Sequence, residues 1–143
     1  MANKILKFGS HREVFSNTFG YPITYKGLTY QSLEAAYQAQ KCPERANEFT
    51  SLTFNNARIL GHQVELRPDW QDVKDSIMRE LLTIKFSDRY MRLNLVETGT
   101  RPMVYDNTWH DNYWGYCTCK QCVLKEHLNK VGKFIEEIRS EMV

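Results

Sequence analysis

Between Trp70 and Ile84 apolar residues return at Trp70, Val73, Ile77, Leu81 and Ile84, a spacing that predicts an amphipathic helix beginning at Asp69. It is the strongest periodic signal in the chain. A second stripe, Val131, Phe134, Ile135 and Ile138, predicts a helix near the C-terminal end. Two short alternating runs, Ile23 to Tyr25 and Leu28 to Tyr30, flank Lys26 and Gly27 and predict a hairpin. Ser32 is placed to cap a helix running from Leu33 to Lys41, which stops near Cys42 because Pro43 disfavours helical geometry in the residue before it. Pro43 can itself open the next short helix. A further helix is expected from Asp88 to Glu97, ending at Gly99. After it come a short apolar run, Pro102 to Tyr105, and one long irregular segment, Asp106 to Cys122. The pattern is that of an α+β fold, helix-rich, with a small β-hairpin or sheet. No repeat and no Gly/Ser/Pro-rich linker divides it, so residues 1–143 read as a single domain.

Composition narrows the function classes. With a net charge of +2 and 25% charged residues, the chain lacks the basic field of a dedicated nucleic-acid binder, yet suits a nucleotide-sized anion. Its N-terminus lacks the apolar run of a signal peptide, and nothing approaches the roughly 20 apolar residues of a membrane span. The expectation is a cytoplasmic protein with no membrane partner. In that compartment the four cysteines are thiols or metal ligands rather than disulfides. The long irregular segment carries Tyr105, Trp109, Tyr113, Trp114 and Tyr116, an aromatic content that argues for order. Ordered loops of this length usually have a function.

Four groups of residues bear candidate chemistry. Glu34, Gln38 and Lys41 fall at i, i+4 and i+7, on one helix face. That face is either a solvated polar stripe or a pocket lining of carboxylate, amide and amine able to supply acid/base chemistry or a nucleophile. Ser16 and Asn17 read as turn residues or as ligand contacts, and Lys85 as a cation at a helix C-terminus. Asp111, Tyr113, Trp114 and Gly115 combine an acceptor, two π-faces and an open backbone, which suits either a flat heteroaromatic ligand or a packed loop. Cys117, Cys119 and Cys122 form C-x-C-x-x-C, three ligands where a closed zinc site needs four. The fourth would be Cys42, His110 or His127; otherwise the cysteines are free thiols.

In order along the chain, these pieces resemble the NADAR superfamily of YbiA-like N-glycosidases. The resemblance rests on F-S-N at Phe15 to Asn17, Y-x-S-x-E and Y-Q-A-x-K between Tyr30 and Lys41, and A-R-x-x-G from Ala57 to Gly61. It continues with W-x-x-x-K from Trp70 to Lys74, K-F at Lys85 and Phe86, D-x-x-W-G from Asp111 to Gly115, and N-x-x-G from Asn129 to Gly132. The chain departs from the family pattern at Ala35 and Ala36, where His and an aromatic are common, and in the cysteines, which look like an elaboration. The resemblance implies hydrolysis of a ribose–nitrogen bond, in ADP-ribosylated guanine or in phosphoribosyl aminopyrimidine intermediates of riboflavin synthesis. It implies Glu34, Lys41 and Asp111 as catalytic residues. Substrate contacts would come from Ser16, Asn17, Gln38, Lys85, Tyr113, Trp114, Gly115 and Asn129. The partner is then a nucleotide-like substrate, carried or not on nucleic acid. Catalysis requires no cofactor, and any zinc on the cysteines is structural. The alternative is a non-catalytic ADP-ribose or nucleotide-binding module.

Overall fold

The computed structural model describes residues 4–142. In chain order the elements are β1 (Leu6–Phe8), β2 (Ile23–Tyr25), β3 (Leu28–Tyr30), α1 (Leu33–Ala39), a 3-10 helix (Pro43–Phe49), α2 (Phe54–Gln63), α3 (Trp70–Ser87), α4 (Arg89–Glu97), β4 (Met103–Asn107), β5 (Tyr116–Cys117) and α5 (Lys130–Ser140). The fold is α+β. Among the described residues no helix is long and apolar enough to cross a membrane. The chain divides into two compact units, residues 17–85 and the remainder.

In the unit of residues 17–85, β2 and β3 pair antiparallel with Ile23 opposite Tyr30. Lys26 and Gly27 turn the hairpin, both at positive φ (50° and 83°), the geometry that a two-residue connection between right-twisted strands requires. Ser32 caps α1 as expected, its hydroxyl accepting from the Ala35 N–H at 3.1 Å. All seven residues of α1 are buried, Glu34 and Gln38 included, so the polar stripe is not a solvated face. The helix ends at Ala39, and Lys41 follows in a turn in which its N–H donates to the Gln38 carbonyl. Pro43 opens a 3-10 helix. The next helix, α2, carries no apolar stripe; its buried residues are Ala57 and Gly61. On α3 the buried face is Trp70, Ile77, Met78, Leu81, Leu82, Lys85 and Phe86; it includes Trp70, Ile77 and Leu81 of the expected stripe, while Val73 and Ile84 at its edge are half-buried. Trp70 packs on Tyr37 of α1, centroids 5.2 Å apart.

In the other unit, β4 is the centre of a three-stranded parallel sheet, paired with β1 (Leu6 with Met103) and with β5 (Asp106 with Tyr116). Phe8, stacked on Tyr105 and meeting Phe15 edge-on, begins an aromatic core that Phe15 extends to Phe86. Asp88 caps α4 through the Met91 N–H, and Gly99 follows at φ 62°. Helix α5 docks on β4 through Gly132, where a Cβ would stand 2.2 Å from the Met103 carbonyl oxygen.

Candidate active site

In the unit of residues 17–85, Glu34 lies one position into α1, where its backbone N–H has no partner within the helix. The Asn17 carbonyl supplies one, at 2.9 Å, so Asn17 is tied directly to the glutamate. The Gln38 Nε2 donates to Glu34 Oε2 at 2.7 Å, one turn along the same buried face. Arg58 of α2 brings Nη2 to 3.6 Å from Glu34 Oε1. A Cβ on Gly61, three residues on, would meet Gln38 Oε1 at 2.0 Å, so only glycine lets α2 pass this close to the amide. The A-R-x-x-G motif therefore places a guanidinium against Glu34 and makes room for Gln38. Arg58 was not among the expected site residues, although its spacing from Gly61 was visible.

Two buried amide oxygens in this cluster, Asn17 Oδ1 and Gln38 Oε1, have no hydrogen-bonding partner. Native interiors rarely leave such groups unanswered, and exceptions concentrate where a ligand binds. The Asn17 Nδ2 makes only a long contact, 3.6 Å, to Met78 Sδ. Lys41 is half-buried; burial holds its ammonium below the usual lysine range, with the Glu34 carboxylate acting in the opposite direction. Lys85, expected as a cation at a helix end, does stand in the last turn of α3, but it is buried there and desolvation pushes it down to about 7. The structure thus brings Asn17, Glu34, Gln38 and Lys41 together with Arg58, around one carboxylate.

The remaining expected site residues belong to the other unit. Ser16 is fully buried. Asp111 Oδ1 accepts from the N–H groups of Tyr113 and Trp114, an Asx turn that sets the course of the loop. Asn107, at the end of β4, holds Asp111 in turn: its Oδ1 accepts from the Asp111 N–H and its Nδ2 donates to the Asp111 carbonyl. Tyr113 and Trp114 meet edge-to-face at 4.8 Å, both half-buried, and Lys130 Nζ sits 4.6 Å from the Tyr113 ring centre. Gly115 is needed for approach to the protein itself, since a Cβ there would stand 2.3 Å from the Tyr105 carbonyl oxygen. Asn129 is likewise engaged by the scaffold. Its Oδ1 accepts from the Tyr105 N–H and its Nδ2 donates to the Met103 carbonyl, which joins α5 to β4. The loop carbonyls of Tyr113 and Trp114 accept from the N–H groups of Lys130 and Val131, answering orphan donors at the start of α5.

Behind the Asx turn, His110 joins the three cysteines. One ligand atom from each of His110, Cys117, Cys119 and Cys122 lies within 4.8 Å of all the others. Of the three candidates for a fourth ligand, His110 is the one in the cluster. His127 is instead stacked on Tyr116 at 3.7 Å, and Cys42 is buried in the unit of residues 17–85.

The NADAR domain family profile matches residues 5–143. The chain is 31% identical over 137 residues to an N-glycosidase of Nostoc punctiforme, covering 90% of this chain and 84% of that protein. It is 33% identical over 107 residues to N-glycosidase YbiA of Shigella sonnei, covering 71% of this chain and 66%, just under two thirds, of YbiA. The NMR structure of Escherichia coli YbiA superposes with a TM-score of 0.82 at 27% identity, over 99% of this chain and 86% of that one. With the profile spanning nearly every residue and the fold in agreement, the chain belongs to the NADAR domain family.

Proposed function

We propose that the chain is an N-glycosidase that hydrolyses the bond between a ribose anomeric carbon and a nitrogen. Its substrate is ADP-ribose attached to guanine in nucleic acid, or a phosphoribosyl aminopyrimidine intermediate of riboflavin synthesis. The observation that carries this reading is Glu34, buried and oriented by Gln38 and Arg58, in a cluster where two amide oxygens await a donor. Relatives in the same family that are named N-glycosidases support it.

In the reaction the carbon–nitrogen bond lengthens and positive charge gathers on the sugar, as in other glycosyl transfers. The Glu34 carboxylate faces that charge and takes a proton from water as the water oxygen bonds to the anomeric carbon. The departing nitrogen acquires a proton, for which Lys41 is the candidate donor, its acidity raised by burial. Water's hydroxyl ends on the sugar and a proton on the nitrogen. No electrons change hands, so the proposal needs no redox cofactor. Asn17 Oδ1 and Gln38 Oε1 are acceptors suited to ribose hydroxyls. The Tyr113–Trp114 pair is a π-surface of the kind nucleobases stack on.

The test incubates the pure protein with an ADP-ribosylated guanine oligonucleotide and with the phosphoribosyl aminopyrimidine, in heavy-oxygen water. Chromatography should show free sugar from one substrate, labelled at the anomeric hydroxyl. Tight binding of both without release of sugar from either would make the chain a nucleotide-binding module. Borohydride trapping of a sugar on Lys41 would make that lysine a Schiff-base nucleophile rather than a proton donor.

A further inference from the structure

We propose that His110, Cys117, Cys119 and Cys122 bind one zinc ion, which staples the loop that carries Asp111 to Trp114. The four donors are already gathered. His110 Nδ1 stands 3.3 Å from Cys119 Sγ, 3.4 Å from Cys122 Sγ and 4.0 Å from Cys117 Sγ. Tetrahedral zinc, with bonds of about 2.0–2.1 Å to nitrogen and 2.3 Å to sulfur, sets such nitrogen–sulfur pairs roughly 3.5 Å apart. These distances bracket that value. Three thiolates and one imidazole are a closed structural set, and this softness and geometry favour zinc over harder cations.

The backbone is arranged for thiolates. His110, at φ 70°, turns its N–H onto Cys117 Sγ at 3.3 Å, and histidine is among the residues that tolerate this left-handed conformation. Donors of this kind are the outer-shell partners that accompany metal-bound sulfur.

Beyond the cysteines themselves, the segment has little apolar packing of its own. Strand β5 is two residues long, and Val123 and Leu124 beyond it are 65% and 97% exposed. Little apolar burial fixes residues 117–124, the condition under which small structural units rely on a metal. Through His110 the ion would anchor the residue immediately before Asp111. None of the four ligands takes part in the glycosidase reaction proposed above, so the two readings stand or fall separately.

Elemental analysis of protein purified without chelator should give one zinc per chain. Protein stripped of metal and titrated with cobalt should show the visible bands of a tetrahedral thiolate site, saturating at one equivalent. Chelation should lower the melting temperature of the wild type, and zinc should restore it. His110→Ala and Cys119→Ser should weaken zinc by more than the roughly 10–100-fold that losing an outer-shell partner costs. Cys42→Ser and His127→Ala should keep full stoichiometry. Metal-free wild-type protein whose cobalt spectrum is that of an oxygen-ligated ion would overturn the proposal, as would zinc lost from Cys42→Ser or His127→Ala but kept in His110→Ala.

Discussion

Lys85 makes a stability signature measurable on a single side chain. Desolvation alone accounts for its fall from 10.5 to about 7. Below about 7 both the folded and the unfolded chain hold the proton, so the cost of burying an ammonium is fully present. Between about 7 and 10.5 the unfolded chain binds a proton that the folded chain does not, and stability therefore rises with pH before levelling off. Denaturant titrations across this range should show that rise in the wild type, and Lys85→Met should flatten it. An unchanged slope in the variant would put the titration elsewhere. Gly61 offers a second test. Gly61→Ala forces a methyl into Gln38 Oε1 and should displace the amide from Glu34, lowering turnover although alanine is the better helix former. In a Gln38→Ala background the same change should cost little. Equal losses in both backgrounds would show that Gly61 does not act through Gln38.

At the scale of elements, legibility followed the strength of each local signal. The hairpin, the Ser32 cap, the start of α3 and the Asp88–Gly99 limits of α4 rest on turn, capping and periodicity chemistry that neighbouring residues settle among themselves. Helix α2 escaped notice because its buried face consists of Ala57 and Gly61, residues chosen for closeness rather than for apolar area. The α3 stripe was legible through Trp70, Ile77 and Leu81, but the burial of Lys85 on the same face was not, because a lysine is not counted as apolar. The parallel pairing of β1 with β4 spans most of the chain and has no local signature. In the loop, the Asp111–Gly115 motif was visible, but nothing in it signalled the tie from Asn107 four residues before Asp111, and the engagement of Asn129 depends on contacts distant in sequence. Asn129→Ala should therefore lower unfolding free energy by about 2–3 kcal/mol, because it strands a buried N–H and a buried C=O on β4. Ligand affinity of the folded fraction should hold; affinity lost at full stability would return Asn129 to the substrate. For Trp114 the expectation is the reverse. Alanine should weaken ADP-ribose binding by about 1–3 kcal/mol and phenylalanine should recover much of it. A variant that melts far below wild type yet binds normally while folded would assign the indole to packing.

Across the whole molecule, the residues that make the family motifs specific converge on few physical tasks. Asn17, A-R-x-x-G and the glutamate helix build one carboxylate cluster, whereas N-x-x-G and Gly115 hold α5 and the loop to β4. A family member that kept the scaffold but lost catalysis would preserve the second set and not the first. In this chain Asn17, Glu34, Gln38, Arg58 and Gly61 of the first set make these contacts. The most direct test is single-turnover release of sugar by wild type and Glu34→Gln, with ligand affinity and melting temperature measured on the same preparations. The account predicts that the glutamine variant folds, binds nucleotide ligand within a few-fold of wild type, and releases sugar at least about 100-fold more slowly. Near wild-type release by a well-folded Glu34→Gln protein would contradict it.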